Sequence, residues 1–400
     1  MDIIAARLNR IKPSPSSMAS QRARELSAGG RDIVGLTAGE PDFDTPPNVC
    51  EAVVRAMAAS KTKYTDVGGT PELKAAIAAK FRRDNALSYA ANEIMVGTGG
   101  KQVIFNALMC TLEPGDEVIV PAPYWVSYPD IALLAEGSPV VVICRPEDGF
   151  KLRPEVLDRA ITPKTRWLVL NAPNNPSGAM YTRDELRGLA DVLLRHSHVW
   201  VLSDDIYEHI RYDGRTFFTI AQVEPALKAR TLTVNGVSKA YAMTGWRIGY
   251  GGAPAELIKA MTKLQSQSTS NPCSISQAAA QEALNGPQDL VAERARIFEA
   301  RREKVVAAVN RIPGLDCHAP EGAFYVYASC ADLIGKKTPD GRILATDADF
   351  VMYLLESQNL ALLQGEAYGL SPFVRISFAA STETLEEGCR RLRLACEALR

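Results

Sequence analysis

The stretch TLTVNGVSKAYAMTGWRIGY, residues 231–250, joins an apolar, β-branched run to a segment that carries two cations, Lys239 and Arg247, eight residues apart. The run TLTV reads as a strand. A surface helix would surround the two cations with other charges, whereas here they stand amid Gly, Trp and Tyr. Lys and Arg are seldom buried without a partner, so the segment either returns both to solvent or brings them to something anionic and something electrophilic. Similar runs precede it: EVIV (117–120), PVVVIC (139–144), WLVL (167–170) and VWVLS (199–203). Continuous apolar strands separated by helix-length stretches predict a mostly parallel sheet buried on both faces, and hence α/β layering. Ligands of such sheets bind beyond the carboxyl ends of the strands. Polar residues just after each run are therefore the first candidates for chemistry.

The connecting segments support this layering. PELKAAIAAKFRR (71–83) has Leu73, Ile77 and Phe81 at i, i+4 and i+8 behind Pro71, which predicts an amphipathic helix. DLVAERARIFEARREKVVAAVN (289–310) reads as a long charged helix. Beyond it the texture changes: GAFYVYASC (322–330), LALL (360–363) and FVRISFA (373–379) read as strands and residues 382–399 as a helix, predicting a smaller α+β lobe. A length of 400 residues also predicts two domains, or one large domain with an attachment. No low-complexity linker divides the lobes, so they are expected to pack closely.

Composition narrows the class. Hydrophobic residues make up 46% and charged residues 23%, and the net charge is −1, so charge gives no reason to expect a nucleic-acid or anionic-membrane partner. Any anion must be held by a local site. The eight cysteines are scattered, with neither a CxxC pair nor a metal-ligand spacing, which predicts free, mostly buried thiols. The N-terminal apolar run is too short for a signal-peptide core, and no segment approaches the roughly 20 apolar residues of a membrane span. A cytoplasmic protein is expected. The pair His196 and His198 reads as part of a surface turn, and no metal site is predicted.

The strand ends carry a set of unlike groups. DDIYEH follows VWVLS and offers Asp204 and Tyr207; NAPNNPSG follows WLVL and puts Asn175 in a Pro-bounded turn; PAPYWVSY follows EVIV and offers Trp125. VGTGGKQVIFNALM (96–109) leads through glycines into an apolar helix, whose N-terminus would present N–H groups and the positive end of the dipole to a phosphate. Each alone has a plainer explanation: a cap for Asp204, a turn for Asn175, core for Trp125, a tight turn for the glycines. Together they meet the needs of pyridoxal 5′-phosphate. Its aldehyde needs a lysine, its ring nitrogen a carboxylate, its phosphate an arginine with backbone donors, and its 3′ oxygen and ring face the rest.

SKAYAMTGWRIGY resembles the lysine motif of the class I pyridoxal-phosphate aminotransferases, and GEPDFDTP (39–46), KYTDVGGTPELKAAI (63–77), NAPNNPSG, SDDIYEH and FVRIS match that family in order. The resemblance covers nearly the whole chain and implies the fold type I of pyridoxal-phosphate transferases. In that fold a large domain, residues 46–297, carries a mostly parallel seven-stranded sheet. A smaller α+β domain combines residues 298–400 with the N-terminal arm and first part in residues 1–45. By the same resemblance Lys239 bonds to the cofactor aldehyde and acts as the base, Arg247 clamps the phosphate beside Gly99 and Gly100, and Asp204 pairs with the ring nitrogen. Tyr207 and Asn175 hold the 3′ oxygen, Trp125 stacks on the ring, Arg375 grips the substrate α-carboxylate bidentately, and Gly39 closes over it. Tyr64 is implied to reach the phosphate of a neighbouring subunit, which makes a homodimer with shared active sites the expected assembly.

The chain is most similar to a bacterial aspartate aminotransferase subgroup whose proteobacterial members also use prephenate. This implies amino-group exchange among aspartate, glutamate, oxaloacetate and 2-oxoglutarate, and conversion of prephenate to arogenate. Lys101, after the paired glycines, is implied to serve acidic substrates. Lys12 falls where prephenate-using members carry a lysine, although a lone lysine in an N-terminal arm is ordinarily solvated. Two other readings stand beside this one. The scaffold also serves carbon–sulfur β-lyases and aminotransferases of other specificity, and it serves as the effector domain of transcription regulators. The last requires a DNA-binding extension, for which a GEPDF motif starting at residue 39 leaves little room.

Overall fold

The computed structural model describes residues 3–13 and 15–400. Its centre is a seven-stranded sheet in the order Ile94–Gly97, Gly249–Gly252, Thr231–Gly236, Trp200–Asp204, Thr165–Asn171, Glu117–Ala122 and Ser138–Ile143. Only Gly249–Gly252 runs antiparallel to its neighbours, so the sheet is mostly parallel as expected. The five apolar runs are all strands in it; WLVL and TLTV are buried throughout because apolar residues cover both faces, whereas PVVVIC, at the sheet edge, leaves Val141 and Ile143 exposed.

Two of the seven strands carry little sequence signal. Ile94–Gly97 is short, and Gly249–Gly252 reads GYGG, a composition that weakens a strand unless close backbone approach demands it. Here it does. A Cβ on Gly249 would lie 2.1 Å from the Gly100 nitrogen.

The helix predicted at 71–83 spans Pro71–Asn85. Thr70 caps it by accepting from the Leu73 N–H at 3.3 Å, and Leu73, Ile77 and Phe81 are buried. The long charged helix spans Asp289–Val309. Beyond it, Tyr325–Ser329, Phe373–Ser377 and Leu363–Gln364 form an antiparallel three-stranded sheet, so the predicted LALL strand is broken between two partners. Its first half, Leu360–Ala361, pairs in parallel with Val34–Gly35, which ties the N-terminal segment to the C-terminal layer. Tyr207 and Ile210 from the large sheet's turn pack into the same core as Phe324, Tyr325 and Ile376, so the two layers are joined directly.

Candidate active site

The parallel strands end level with one another: Asn171 is opposite Asp204, and Asp204 opposite Val234. Beyond that edge lies a cavity of about 410 Å³. It is lined by Lys239, Asp204, Tyr207, Asn175, Trp125, Gly39, Gly100, Lys101, Arg247 and Arg375, ten of the thirteen residues singled out in the sequence. Gly99 stands just behind, packed so closely that a Cβ there would come within 2.4 Å of Arg247 Nη2. Lys12 lines a neighbouring cavity of about 440 Å³ that shares Lys101 and Arg247 with the first. Tyr64 is 92% exposed and does not line the cavity of its own chain.

Asp204 closes the strand Trp200–Asp204. Tyr128 donates to its Oδ2 at 2.6 Å, the Ile206 N–H lies 3.4 Å from its Oδ1, and Asn171 Nδ2 donates to its carbonyl at 2.9 Å. Burial pushes its carboxyl up to about 6, against the pull of Tyr128, the Ile206 N–H and Lys239. A cation brought beside it would recover that cost, because an opposite charge favours the ionised form. Lys239 Nζ donates to the Gly39 carbonyl at 2.5 Å. Burial brings its amine down to about 8, Glu40 pulls it back up, and Arg247 and Arg375 press it further down. A lysine so tuned is partly neutral near physiological pH, as a nucleophile or base must be.

Arg375 occupies the opposite lobe's strand, Phe373–Ser377, and is buried. Nη1 donates to Asn175 Oδ1 at 3.0 Å and Nη2 to the Thr37 carbonyl at 2.6 Å, while its guanidinium lies 4.3 Å from the Tyr325 ring centre. Its Nε is buried without a partner among the described residues. Tyr207 shares a 2.8 Å hydroxyl contact with Tyr325, and burial together with Tyr325 holds its phenol well above the ordinary range. It is thus a proton-bearing donor at neutral pH. Lys101 lies 4.8 Å from the Trp125 ring centre; burial and Arg247 lower its ammonium.

The phosphate end is built by backbone. Gly99, at φ +84°, caps the helix Gly100–Thr111, and Arg247, at φ +55°, returns its guanidinium to the same turn with Nη1 donating to the Thr244 carbonyl at 2.9 Å. Glycines at 99 and 249 keep Cβ atoms out of this turn, which leaves the N-terminus of the helix Gly100–Thr111 and the Arg247 guanidinium close together, a pairing suited to an anion. These donors, the buried Asp204 and the recessed Lys239 fit pyridoxal phosphate at its three polar ends.

Sequence reasoning passed over Tyr128, Asn171, Ser238, Tyr325, Thr37 and Arg24, all of which line the cavity. Tyr128 stands three residues after Trp125, a helical spacing that could have suggested a shared face; the two rings meet edge to face at 5.2 Å. The histidine pair lies at the surface, with His196 bonded to Asp158 at 3.0 Å. Among the described residues Asp84, Glu208 and His209 bring ligand-type atoms within 4.8 Å of one another, and the Lys80 ammonium already sits between the two carboxylates.

Comparison with known proteins agrees with this geometry. The family model for aminotransferase class I and II matches residues 31–392. The chain is 56% identical over 398 residues to a probable aspartate/prephenate aminotransferase of Rhizobium leguminosarum bv. phaseoli, covering 100% of both chains. It is 55% identical over 399 residues to an aspartate/prephenate aminotransferase of Cereibacter sphaeroides, again covering 100% of both. The crystal structure of an aspartate aminotransferase from Rhizobium meliloti superposes with a TM-score of 0.97 at 55% identity, covering 99% of each chain.

Proposed function

From the premise that the chain belongs to the class I and II aminotransferases, we propose that it exchanges amino groups between dicarboxylic amino acids and 2-oxo acids with pyridoxal phosphate as carrier. Aspartate and glutamate serve as donors, oxaloacetate and 2-oxoglutarate as acceptors, and prephenate as a further acceptor that yields arogenate. The names of the full-length relatives support the substrates. The observation that carries the reading is one cavity at the strand ends lined by the Lys239 amine, the buried Asp204 carboxylate and the Arg247 and Arg375 guanidiniums.

When bound, pyridoxal phosphate supplies an electron-withdrawing ring that stabilises negative charge at the amino-bearing carbon. Arg247 and the N–H groups at Gly100 hold the phosphate, and Asp204 holds the ring nitrogen in its protonated form. Tyr207 and Asn175 donate to the 3′ oxygen, and Trp125 covers the ring. Arg375 takes the substrate α-carboxylate in its planar fork, which Asn175, Thr37 and the Tyr325 ring hold in place before substrate arrives. Lys239 Nζ takes the proton from the substrate Cα and holds it, within reach of the Gly39 carbonyl. Two acidic substrates alternate at one site, so ping-pong kinetics follow.

We further assign a homodimer in which Tyr64 of the partner subunit reaches the phosphate; the 92% exposure of Tyr64 and the exposed Val54 and Met57 on the helix Pro47–Ala58 support this. Lys101 and Lys12 serve acidic side chains. The domains divide as residues 46–297 against residues 298–400 with 1–45, which the pairing of Val34–Gly35 with Leu360–Ala361 supports. Eight free thiols, and the absence among the described residues of any helix able to cross a membrane, suit a cytoplasmic enzyme.

The test is the absorption spectrum of the holoenzyme during single additions. Aspartate and glutamate are expected to convert the cofactor to its amine form, and prephenate or 2-oxoglutarate to convert it back. If neither amino acid changes the spectrum, the substrate assignment fails. Release of pyruvate and ammonia from a cysteine-type substrate would instead identify a carbon–sulfur lyase.

A further inference from the structure

Five cationic side chains line the cavity, Arg24, Lys101, Lys239, Arg247 and Arg375, and Asp204 is the one carboxylate among its lining residues. Four of the five have partners: Arg375 bonds Asn175 and Thr37, Arg247 bonds the Thr244 carbonyl, Lys239 bonds the Gly39 carbonyl, and Lys101 lies over Trp125. Arg24 makes no hydrogen bond or ion pair with any described residue. Its neighbour Arg22 is matched by Glu25 at 3.5 Å on the same helix, Pro15–Ala28.

That helix is fixed against the cavity wall. Among its described side chains Ala19, Ala23 and Leu26 are half-buried, at i, i+4 and i+7, and Ala19 packs into the cluster that contains Trp125, Val126 and Leu363. Arg24 follows Ala23 directly, on the flank of this docked face, and its side chain reaches the cavity from there.

Charge counting indicates what it meets. On the reading proposed above, a cofactor phosphate brings nearly two negative charges and the substrate α-carboxylate one. Lys239 is neutral when it works as a base, so the standing cations are Arg24, Lys101, Arg247 and Arg375. A monocarboxylic substrate leaves one of these four cations unmatched, whereas a dicarboxylic substrate matches them all. We propose that Arg24 is a specificity-determining residue, whose guanidinium takes the second carboxylate of the substrate together with Lys101. Its fork suits a carboxylate, and being solvated beforehand it has no internal partner to give up.

The experiment compares holoenzyme carrying Arg24→Met or Arg24→Lys with the unaltered protein. The non-reacting dicarboxylate maleate is titrated by calorimetry, and single-turnover kcat/KM is measured with aspartate and with the monocarboxylic norvaline. Arg24→Met is expected to weaken maleate and lower aspartate kcat/KM by about tenfold, the low end for a charge-assisted bond at an exposed residue, and to change norvaline by less than about twofold. Arg24→Lys should recover part of the loss. Unchanged maleate affinity in Arg24→Met, or an equal loss with norvaline, would overturn the proposal. Failure of the broader reading looks different: the unaltered enzyme would not turn over aspartate, while maleate binding would still decide the role of Arg24.

Discussion

The floor of the cavity can be tested without touching the cavity, through Lys80. This side chain is 1% exposed and its partner Glu208 is 2% exposed. Glu208 directly follows Tyr207, and its carboxylate accepts from the Lys80 ammonium, from Asn85 Nδ2 at 2.5 Å and from Asn235 Nδ2 at 2.8 Å. Asn235 lies four residues before Lys239 on the strand Thr231–Gly236. Lys80 therefore ties the helix Pro71–Asn85 to the turn bearing Tyr207 and, through Glu208, to the strand leading to Lys239. Lys80→Met keeps the stem and deletes the charge. Removing one partner of a buried pair costs about 3–5 kcal/mol, and the low end applies because two amide donors and His209, 3.3 Å away, remain. With an unfolding entropy of about 2.1 cal/mol/K per residue, about 3 kcal/mol lowers the melting temperature of a chain this size by about 4 °C.

The pH dependence supplies the sign. Against its burial, Lys80 and His209 hold the Glu208 carboxyl well below the usual carboxylate range. A depressed native pKa contributes stability above the unfolded value of about 4.3 and loses it as pH falls through the native value. Deleting Lys80 removes that contribution, so the gap between variant and parent should be full at pH 7 and begin to narrow only as pH falls below about 4. Lys80→Met combined with Glu208→Gln removes both charges and should recover at least half the loss. The assay is thermal unfolding by circular dichroism with saturating cofactor at fixed protein concentration. A Lys80→Met melting point within about 1 °C of the parent at pH 7, or a double variant less stable than the single one, would refute the reasoning.

Three further outcomes follow from the site. Asp204→Asn should lower kcat about 10²–10³-fold while leaving the fold intact, since it removes a preorganised charge; single-turnover kinetics beside circular dichroism would check this. Uptake of pyridoxal phosphate by cofactor-free protein, followed by absorbance, should accelerate with pH through about 8 as Lys239 loses its proton, and should weaken below about 6 as Asp204 becomes neutral. A midpoint near the ordinary lysine value would contradict the burial argument. Gly249→Ala should weaken cofactor affinity at least about tenfold, because its Cβ would sit 2.1 Å from the Gly100 nitrogen, against backbone that cannot rotate away. Equilibrium dialysis reads it directly.

The groups legible in the sequence share one property: the chain segment that carries each also announces where it ends. Asp204 closes a continuous apolar strand, Asn175 and Lys239 stand a few residues past one, and Gly99 and Gly100 open a helix, so parallel pairing alone aligns them. The residues that were missed arrive from segments whose position depends on packing between layers. Tyr325 comes from the C-terminal sheet and Thr37 from just beyond Val34–Gly35, and each acts through an arginine more than 40 residues distant in sequence. Tyr128 belongs to a short helix that reads as core, and only the fold turns its hydroxyl toward Asp204. Arg24 is the extreme case, since QRARELS has the texture of a solvated helix face and its role depends on where Ala19 docks. The weak strand signal at Gly249–Gly252 has the opposite cause. At Gly249 β propensity is sacrificed so that two backbones can approach, and that approach is what shapes the turn facing Arg247. Local pattern thus locates the cavity groups that stand at strand and helix ends, whereas those that enter from the other layer are assembled by tertiary docking, and they are accordingly what motifs resolve least.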